Sequence, residues 1–379
     1  MHFLYTGPRY HTNQHFPVKA LLDAGHDVSF LALTCGQSEE YSALTPTVLG
    51  FSPLYDMYLR VIGLCRGKDL VGTPPEGGSR VNGMPPIVKF WREFRRRRPS
   101  VVIIRDPFKP YGRLAIAVAA LTGTRSILYT QQPMHGPRGF RGRRKPLTLL
   151  IIRTAKSPWM TPVLGLADRY AAAKRCHYVP FVIEPQTHPR DKAWFKDDAF
   201  NILAIGKFQS RKNHRMFLDV IKLLSTRYPI RATIIGECST SDHQSELENI
   251  KQHGHRLGIA SRVEFKVNLS FSEVQSQIQQ HDVFVLASRN DQVGVSLLEA
   301  MSHSLPVICS DSSGAQSYVR PGENGFVFRT DDTDHLSVCL DQILGDRDQL
   351  IQMGTRSYRL IETEHQPKRY VEALVAWGT

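Results

Sequence analysis

The sequence predicts an α/β protein of two doubly wound domains, and three observations carry that prediction. Its 379 residues exceed one ordinary core and suit two domains of about 150 to 200 residues each. Short Val- and Ile-rich runs alternate with helix-length amphipathic segments, the pattern left by parallel strands buried on both faces. Between Pro180 and Ala199 the stretch VPFVIEPQTHPRDKAWFKDDAF holds three prolines and mixed charge and reads as a join.

In the first half HFLYT predicts a strand, GPRYHTNQH a polar turn, PVKALLDAG a helix and HDVSFLAL a second strand, together a βαβ unit. The order returns at PSVVIIRDP, GRLAIAVAALTG and RSILYT. The stretch from Pro74 to Pro86, with Gly77, Gly78 and Gly83, lacks periodicity and reads as a loop. The second half is more regular. AFNILAIG, RATIIGE, RVEFKV, DVFVLAS and PVICSD read as strands, and RMFLDVIKLLSTRY, SELENIKQHGHRLG, SEVQSQIQQ and VSLLEAMSH as the helices between them, with a short strand pair near NGFVFR. The expected organisation is residues 1–185, residues 186–359, and a helical tail over 360–379 packing back on the first domain. Two such domains facing across a cleft would bind ligands at the carboxyl ends of both sheets.

Hydrophobic residues make up 41% of the chain and charged residues 22%, which excludes a disordered protein. The start MHFLYTGPRYH has no basic region followed by an apolar core, and no apolar run approaches the ~20 residues of a membrane-spanning helix. The six cysteines are far apart with no CxxC pair, so neither a zinc site nor a disulfide framework is expected. A cytoplasmic location is the expectation. The net charge of +13 divides unevenly: residues 1–180 carry +16 and residues 181–379 carry −3. One domain is therefore expected to face an anionic partner.

The chemistry is concentrated in DQVGVSLLEAMSHSLPVICS, residues 291–310. The first amides of the helix there, at Gly294, Val295 and Ser296, are donors at a positive dipole end, suited to a phosphate. Glu299 lies about a turn further in, about 6 Å along the axis, where a carboxylate can bridge two ribose hydroxyls. Asp291 precedes the helix, within reach of a sugar hydroxyl. Taken alone, the pair is what any helix with a loop acid before it would show.

The rest of the second half alters that balance. It resembles the C-terminal domain of retaining glycosyltransferase family 4 (glycosyl transferases group 1), whose GT-B fold joins two Rossmann-like domains. The family pattern is Glu, seven residues, Glu, Ala-Met-Ala, a Gly-x-Pro-Val strand entry and a later E-N-G turn; here stand D-QVGVSLL-E-AMSHSLPVICSD and PGENGFVF. The family's Gly-Arg-x-x-x-x-Lys-Gly, with two cations for the donor diphosphate, corresponds to Gly206, Lys207, then FQSR and Lys212. The resemblance implies that Lys207 and Lys212 act on the leaving diphosphate, that Asp291 holds the transferred sugar, and that Arg211 is available for the missing Arg charge. It implies a front-side reaction without a dedicated side-chain base. No metal or cofactor is expected, and the donor substrate would be a UDP- or GDP-sugar.

The chain departs from the pattern in five places. Asp291 is one methylene shorter than the family's first Glu, and Lys207 stands for Arg. Ser317 falls where a Glu is frequent, YTGPRYHTNQH replaces a glycine pair after the first strand, and Gln131 or Gln132 falls where the family has His. On that first-domain side His11, Asn13, Gln132 and His135 are the candidates for contacts to acceptor or sugar, each equally readable as an ordinary loop residue.

The excess charge lies in WREFRRRRP, residues 91–99, and in residues 135–156, where Phe140 and LTLLII interleave with Arg and Lys. The second mixture suits an anionic membrane surface. The first also reads as cations closing an amphipathic helix before a strand. The expected function is transfer of a sugar from a nucleotide donor to a lipid-linked or glycan acceptor in cell-surface polysaccharide or lipopolysaccharide synthesis, at the inner face of the membrane. Two rivals are an inactive donor-binding scaffold and a basic nucleic-acid-binding protein. The second lacks aromatics at stacking spacing, so no specific nucleic acid is expected.

Overall fold

Val- and Ile-rich segments become two all-parallel sheets in a computed structural model that describes residues 1–36, 39–66, 83–136, 157–173 and 175–379. The chain divides into one unit of Met1–Val182 with Pro367–Thr379 and a second of Ile183–Gln366. The first join thus falls at Val182/Ile183, three residues before the expected boundary. The return to the first unit starts at Pro367, because residues 360–364 still belong to a helix of the second unit.

The first unit holds β1 (His2–Arg9), α1 (His15–Asp23), β2 (Asp27–Thr34), β3 (Thr47–Val48), α2 (Pro53–Arg66) and α3 (Ile87–Arg97). β4 (Val101–Arg105), α4 (Pro110–Thr122), β5 (Arg125–Tyr129), β6 (Trp159–Thr161) and β7 (Cys176–Tyr178) follow. Its strand order is β3-β2-β1-β4-β5-β6-β7. β1 runs on through Gly7, Pro8 and Arg9, where a turn was expected, because pairing to β4 stops at Thr6 while pairing to β2 continues to Arg9. Pro8 therefore lies beyond the doubly paired part of the strand, where its missing N–H is tolerated. The arginine run closes α3 as the sequence allows: Arg95, Arg96 and Arg97 form its last turn, and Arg98 takes a left-handed conformation at φ 45°. Residues 137–156 and 67–82 lie outside the described residues, and with them most of the second basic stretch and of the expected loop.

The second unit is built from β8 (Phe200–Ile205), α5 (His214–Leu224), β9 (Ile230–Gly236), α6 (Ser241–Arg256), β10 (Val263–Val267) and α7 (Phe271–Gln279). Next come β11 (Val283–Leu286), α8 (Val295–Ser302), β12 (Val307–Ser310), β13 (Gly325–Phe328), α9 (Thr333–Leu344) and α10 (Arg347–Glu364). The sheet order is β10-β9-β8-β11-β12-β13. NGFVFR contributes the single strand β13, not a pair; among the described residues an isolated bridge also links Pro321 and Gly325. Met216, Phe217, Val220, Ile221 and Leu224 of α5 bury one helical face in a core shared with Ile202, Ile234 and Val285. The last helix, α11 (Pro367–Gly378), rejoins the first unit, where the Tyr5 and Tyr370 hydroxyls meet at 2.8 Å.

Candidate active site

The second sheet reverses its strand order between β8 and β11. Ligands in open α/β sheets bind outside the carboxyl ends of the strands at such a point. All the residues expected to hold the donor lie on the two connections that leave these strands.

On the β8 side, Gly206 extends the ladder through its N–H to the Ile235 carbonyl at 2.9 Å. A one-turn 3₁₀ helix, Ser210–Lys212, then bends the chain so that the Lys212 stem folds back over Gly206. A Cβ at residue 206 would lie 2.9 Å from Lys212 Cδ, so glycine there is what seats the lysine. Lys212 Nζ donates to Asp291 Oδ2 at 2.5 Å, and Arg211 Nη1 lies 3.5 Å from Asp291 Oδ1. The Arg289 N–H donates to the Arg211 carbonyl at 2.7 Å and fastens one connection to the other.

On the β11 side, Gly294 caps α8 in the left-handed region at φ 67°. A Cβ there would fall 2.7 Å from the Ala315 Cβ and 2.8 Å from Leu286 Cδ2, so both conformation and space demand glycine. The turn leaves the first amides of α8, at Val295 and Ser296, without intrahelical acceptors. The Gly314 N–H holds the Asp291 carbonyl at 2.8 Å.

Burial would raise the Asp291 pKa, but the Lys212 ammonium, with Arg211, outweighs it and holds the carboxyl below its usual range. Burial lowers the Lys212 pKa, with Asp291 opposing. Lys207 pairs with Glu237 at 2.7 Å. Three cations against two carboxylates leave the cluster one positive charge in excess. Glu299, one turn into α8, is different: no side chain among the described residues pairs with its carboxyl, and burial alone raises its pKa to about 7.

The structure thus joins what sequence spacing kept apart. Lys212 and Arg211, expected to face a diphosphate, and Asp291, expected to face a sugar, form one network with both Asp291 oxygens engaged, while Lys207 pairs with Glu237. Sequence reasoning missed Glu237, which directly follows the last residue of β9 and could have been found as an acid at a strand's carboxyl end. It also missed His214, whose buried ring, its pKa lowered to about 4 by burial, approaches the Gly206 carbonyl through Nε2 at 3.3 Å. The Ser317 hydroxyl donates to the Gly314 carbonyl at 2.9 Å, within its own turn.

The four first-unit candidates do not form one cluster of contacts. His11 Nδ1 lies 3.4 Å from Glu39 Oε1; burial, aided by Arg105 and Arg9, lowers its pKa against the pull of Glu39. Asn13 Oδ1 accepts from the Gln14 amide at 3.4 Å. Gln132 is exposed, and its carbonyl accepts the Thr161 hydroxyl at 2.6 Å. His135 Nδ1 donates to the Tyr170 carbonyl at 2.7 Å, and its own N–H and carbonyl are bonded to Leu164 and Leu166. Its ring is tied into the fold.

Residues 186–360 match the family model described as glycosyl transferases group 1. Among curated relatives, a D-inositol 3-phosphate glycosyltransferase of Corynebacterium urealyticum is 30% identical over 40% of this chain and 36% of its own length. The lipopolysaccharide core biosynthesis glycosyltransferase LpsE of Rhizobium meliloti is 24% identical over 43% of this chain and 45% of its own. The mouse GDP-Man:Man(3)GlcNAc(2)-PP-Dol alpha-1,2-mannosyltransferase is 24% identical over 30% and 24%. The matched stretches thus span less than half of these relatives. Likeness of fold runs further: Anabaena HepE in complex with UDP superposes with a TM-score of 0.71 at 11% identity, covering 99% of this chain and 98% of that one. Sucrose-phosphate synthase of Thermosynechococcus elongatus gives 0.69 at 13% identity over 99% and 98%. The chain has the GT-B fold, and its residues 186–360 are a glycosyl transferases group 1 domain.

Proposed function

We propose that the chain is a retaining, metal-independent glycosyltransferase of family 4, moving a hexosyl group from a UDP- or GDP-sugar to a lipid-linked or glycan acceptor. The observation that carries the reading is the switch-point site of the second unit, where a cation cluster and a glycine-capped helix flank an unpartnered carboxyl. In this reading the Val295 and Ser296 amides hold a phosphate, Glu299 accepts ribose hydroxyls, and Asp291 faces the transferred sugar. Lys207, Arg211 and Lys212 neutralise the nucleoside diphosphate as it departs. Its charge grows as the glycosidic bond breaks, so fixed cations stabilise the transition state more than the ground state. The departing phosphate oxygen takes the proton of the acceptor hydroxyl on the same face of the sugar, and no side-chain base is required.

The relatives support this choice of substrates: one is named for GDP-mannose and a dolichol-diphosphate acceptor, another for lipopolysaccharide core biosynthesis, and a structural neighbour is in complex with UDP. The test is release of nucleoside diphosphate from a panel of UDP- and GDP-sugars, followed by NMR of the product anomer. One donor is expected to turn over with its anomeric configuration kept. Binding of a nucleotide with no turnover of any donor would favour the inactive scaffold, a reading helped by Asp291 being held by Lys212 and Arg211.

The same reading places the protein on the inner face of the cell membrane. No helix of the described residues is long and apolar enough to cross one. Two faces of the first unit suit its surface instead. Leu54, Met57, Tyr58 and Val61, at helical spacing on α2, are exposed, as are Ile87, Val88 and Trp91 at the start of α3. Exposed Arg92, Arg95 and Arg96 follow on α3. Sedimentation with phosphatidylglycerol vesicles at low salt is expected, weakening as salt is raised. Equal binding to phosphatidylcholine vesicles would contradict the electrostatic part of this reading.

A further inference from the structure

The first sheet also reverses its strand order, between β1 and β4, and both strands end there on arginine, Arg9 and Arg105. Each is more than nine-tenths buried. Arg9 has its counter-ion in Glu39, at 2.5 Å. Gly36 makes room for it, since a Cβ at that residue would stand 2.0 Å from Arg9 Nη2.

Arg105 has no such answer. Its Nη1 donates to the Arg9 carbonyl at 3.3 Å, its guanidinium stands 5.8 Å from the centroid of the Tyr129 ring, and its Nε is buried with no acceptor among the described residues. Among the described residues it makes no ion pair with a carboxylate. A guanidinium cannot shed its charge by losing a proton. Burying it without a counter-charge is strongly unfavourable. Arg9 is paired with Glu39 and His11 is held toward its neutral form, while Arg105 has no carboxylate in contact among the described residues. The His11 side chain, 41% exposed, marks the side of this cluster open to solvent.

We propose that Arg105, with Arg9 and His11 beside it, forms an anion subsite that takes a phosphoryl group. The Arg105 guanidinium presents a fork of parallel N–H donors that matches two oxygens of a phosphate, and Arg9, held by Glu39, lies beside it on the adjacent strand. The subsite deepens the proposed function, on which it rests for the ligand's role: the acceptor would carry a phosphate, on a soluble sugar or on a lipid headgroup. The ligand's presence does not depend on that reading.

Calorimetric titration of inorganic phosphate into wild type, Arg105→Gln and Lys212→Ala tests it. Wild type is expected to bind at two independent sites. Arg105→Gln should lose one of them, with affinity there falling roughly tenfold or more, and should keep nucleotide binding in the second unit. Because Arg105→Gln removes an uncompensated charge, the unliganded variant should melt no lower than wild type, a result that a purely structural arginine would not give. Glucose 1-phosphate and phosphatidic acid in phosphatidylcholine vesicles form two further arms. Loss of binding in the first with Arg105→Gln assigns a soluble phosphate, and loss in the second assigns a lipid. Unchanged phosphate affinity in Arg105→Gln, or a variant that melts lower at every phosphate concentration, overturns the subsite. Failure of wild type to bind any nucleotide would count against the proposed function and leave the subsite standing.

Discussion

Lys212→Ala is expected to slow sugar transfer by about a hundred- to a thousandfold, the loss typical when one fixed donor is removed from a developing charge. It should also destabilise the protein by about 3 kcal/mol in urea denaturation, because Asp291 is left buried with Arg211, at 3.5 Å, as its remaining cation among the described residues. The two effects are separable. Lys212→Met combined with Asp291→Leu removes both charges and should recover stability to within about 1 kcal/mol of wild type while remaining inactive. Recovery of transfer in the double variant would show that the pair is scaffolding and not catalytic. The pair also sets an acid limb: Asp291 is held below its ordinary pKa, so its contribution is complete at neutral pH and lost as pH falls through the depressed value.

Glu299→Gln should act on stability and binding in opposite directions. The folded-state pKa of about 7 lies above the value of about 4.3 in an unfolded chain. Between those values the folded state binds more protons, so this group's contribution falls as pH rises through the window and is flat above it. Unliganded Glu299→Gln is therefore expected to be more stable than wild type at pH ~8 by about 1–3 kcal/mol, the gap closing by pH ~4, in thermal denaturation across pH. Binding runs the other way. Ribose hydroxyls donate to the ionised carboxylate, so donor affinity should fall by up to about tenfold per pH unit below pH 7 in wild type and lose that dependence in the variant. An intact nucleotide sugar is the right probe, since its diphosphate diester has no proton titrating in this range.

The second unit was the more legible because its strands VFVL and VICS are buried along their whole length and leave unbroken apolar runs between helix-length segments. β3, β6 and β7 are only two or three residues long. No period can show in so short a run, and these strands exist because their neighbours hold them. α2 escaped for another reason: its apolar residues Leu54, Met57, Tyr58 and Val61 face outward, so the stripe that marks a helix here does not mark a core. At NGFVFR the motif was readable, but only one strand finds a partner.

At the site, the residue types and spacing around Asp291 and Glu299 were legible and their partners were not. Lys212 and Asp291 stand 79 positions apart, and only the switch in strand order between β8 and β11 brings their connections together. Nothing in the sequence around Glu299 says that its carboxyl is left without a partner among the described residues; that follows from the packing of α8. Arg9 and Arg105 were hidden for a similar reason, each closing a strand and neither belonging to a charge run.

If the switch point of the second unit binds a nucleoside diphosphate through Glu299 and the α8 amides, removing the Glu299 charge weakens that binding. The most direct measurement is calorimetric titration of UDP, GDP, ADP and CMP into wild type and into Glu299→Gln at pH ~8. One nucleoside diphosphate is expected to bind wild type and to lose about 2 kcal/mol or more of that affinity in the variant, with a charged acceptor of two hydroxyl hydrogen bonds removed. Binding by none of them, or equal binding by wild type and variant, would show that Glu299 and the α8 amides do not form a nucleotide site.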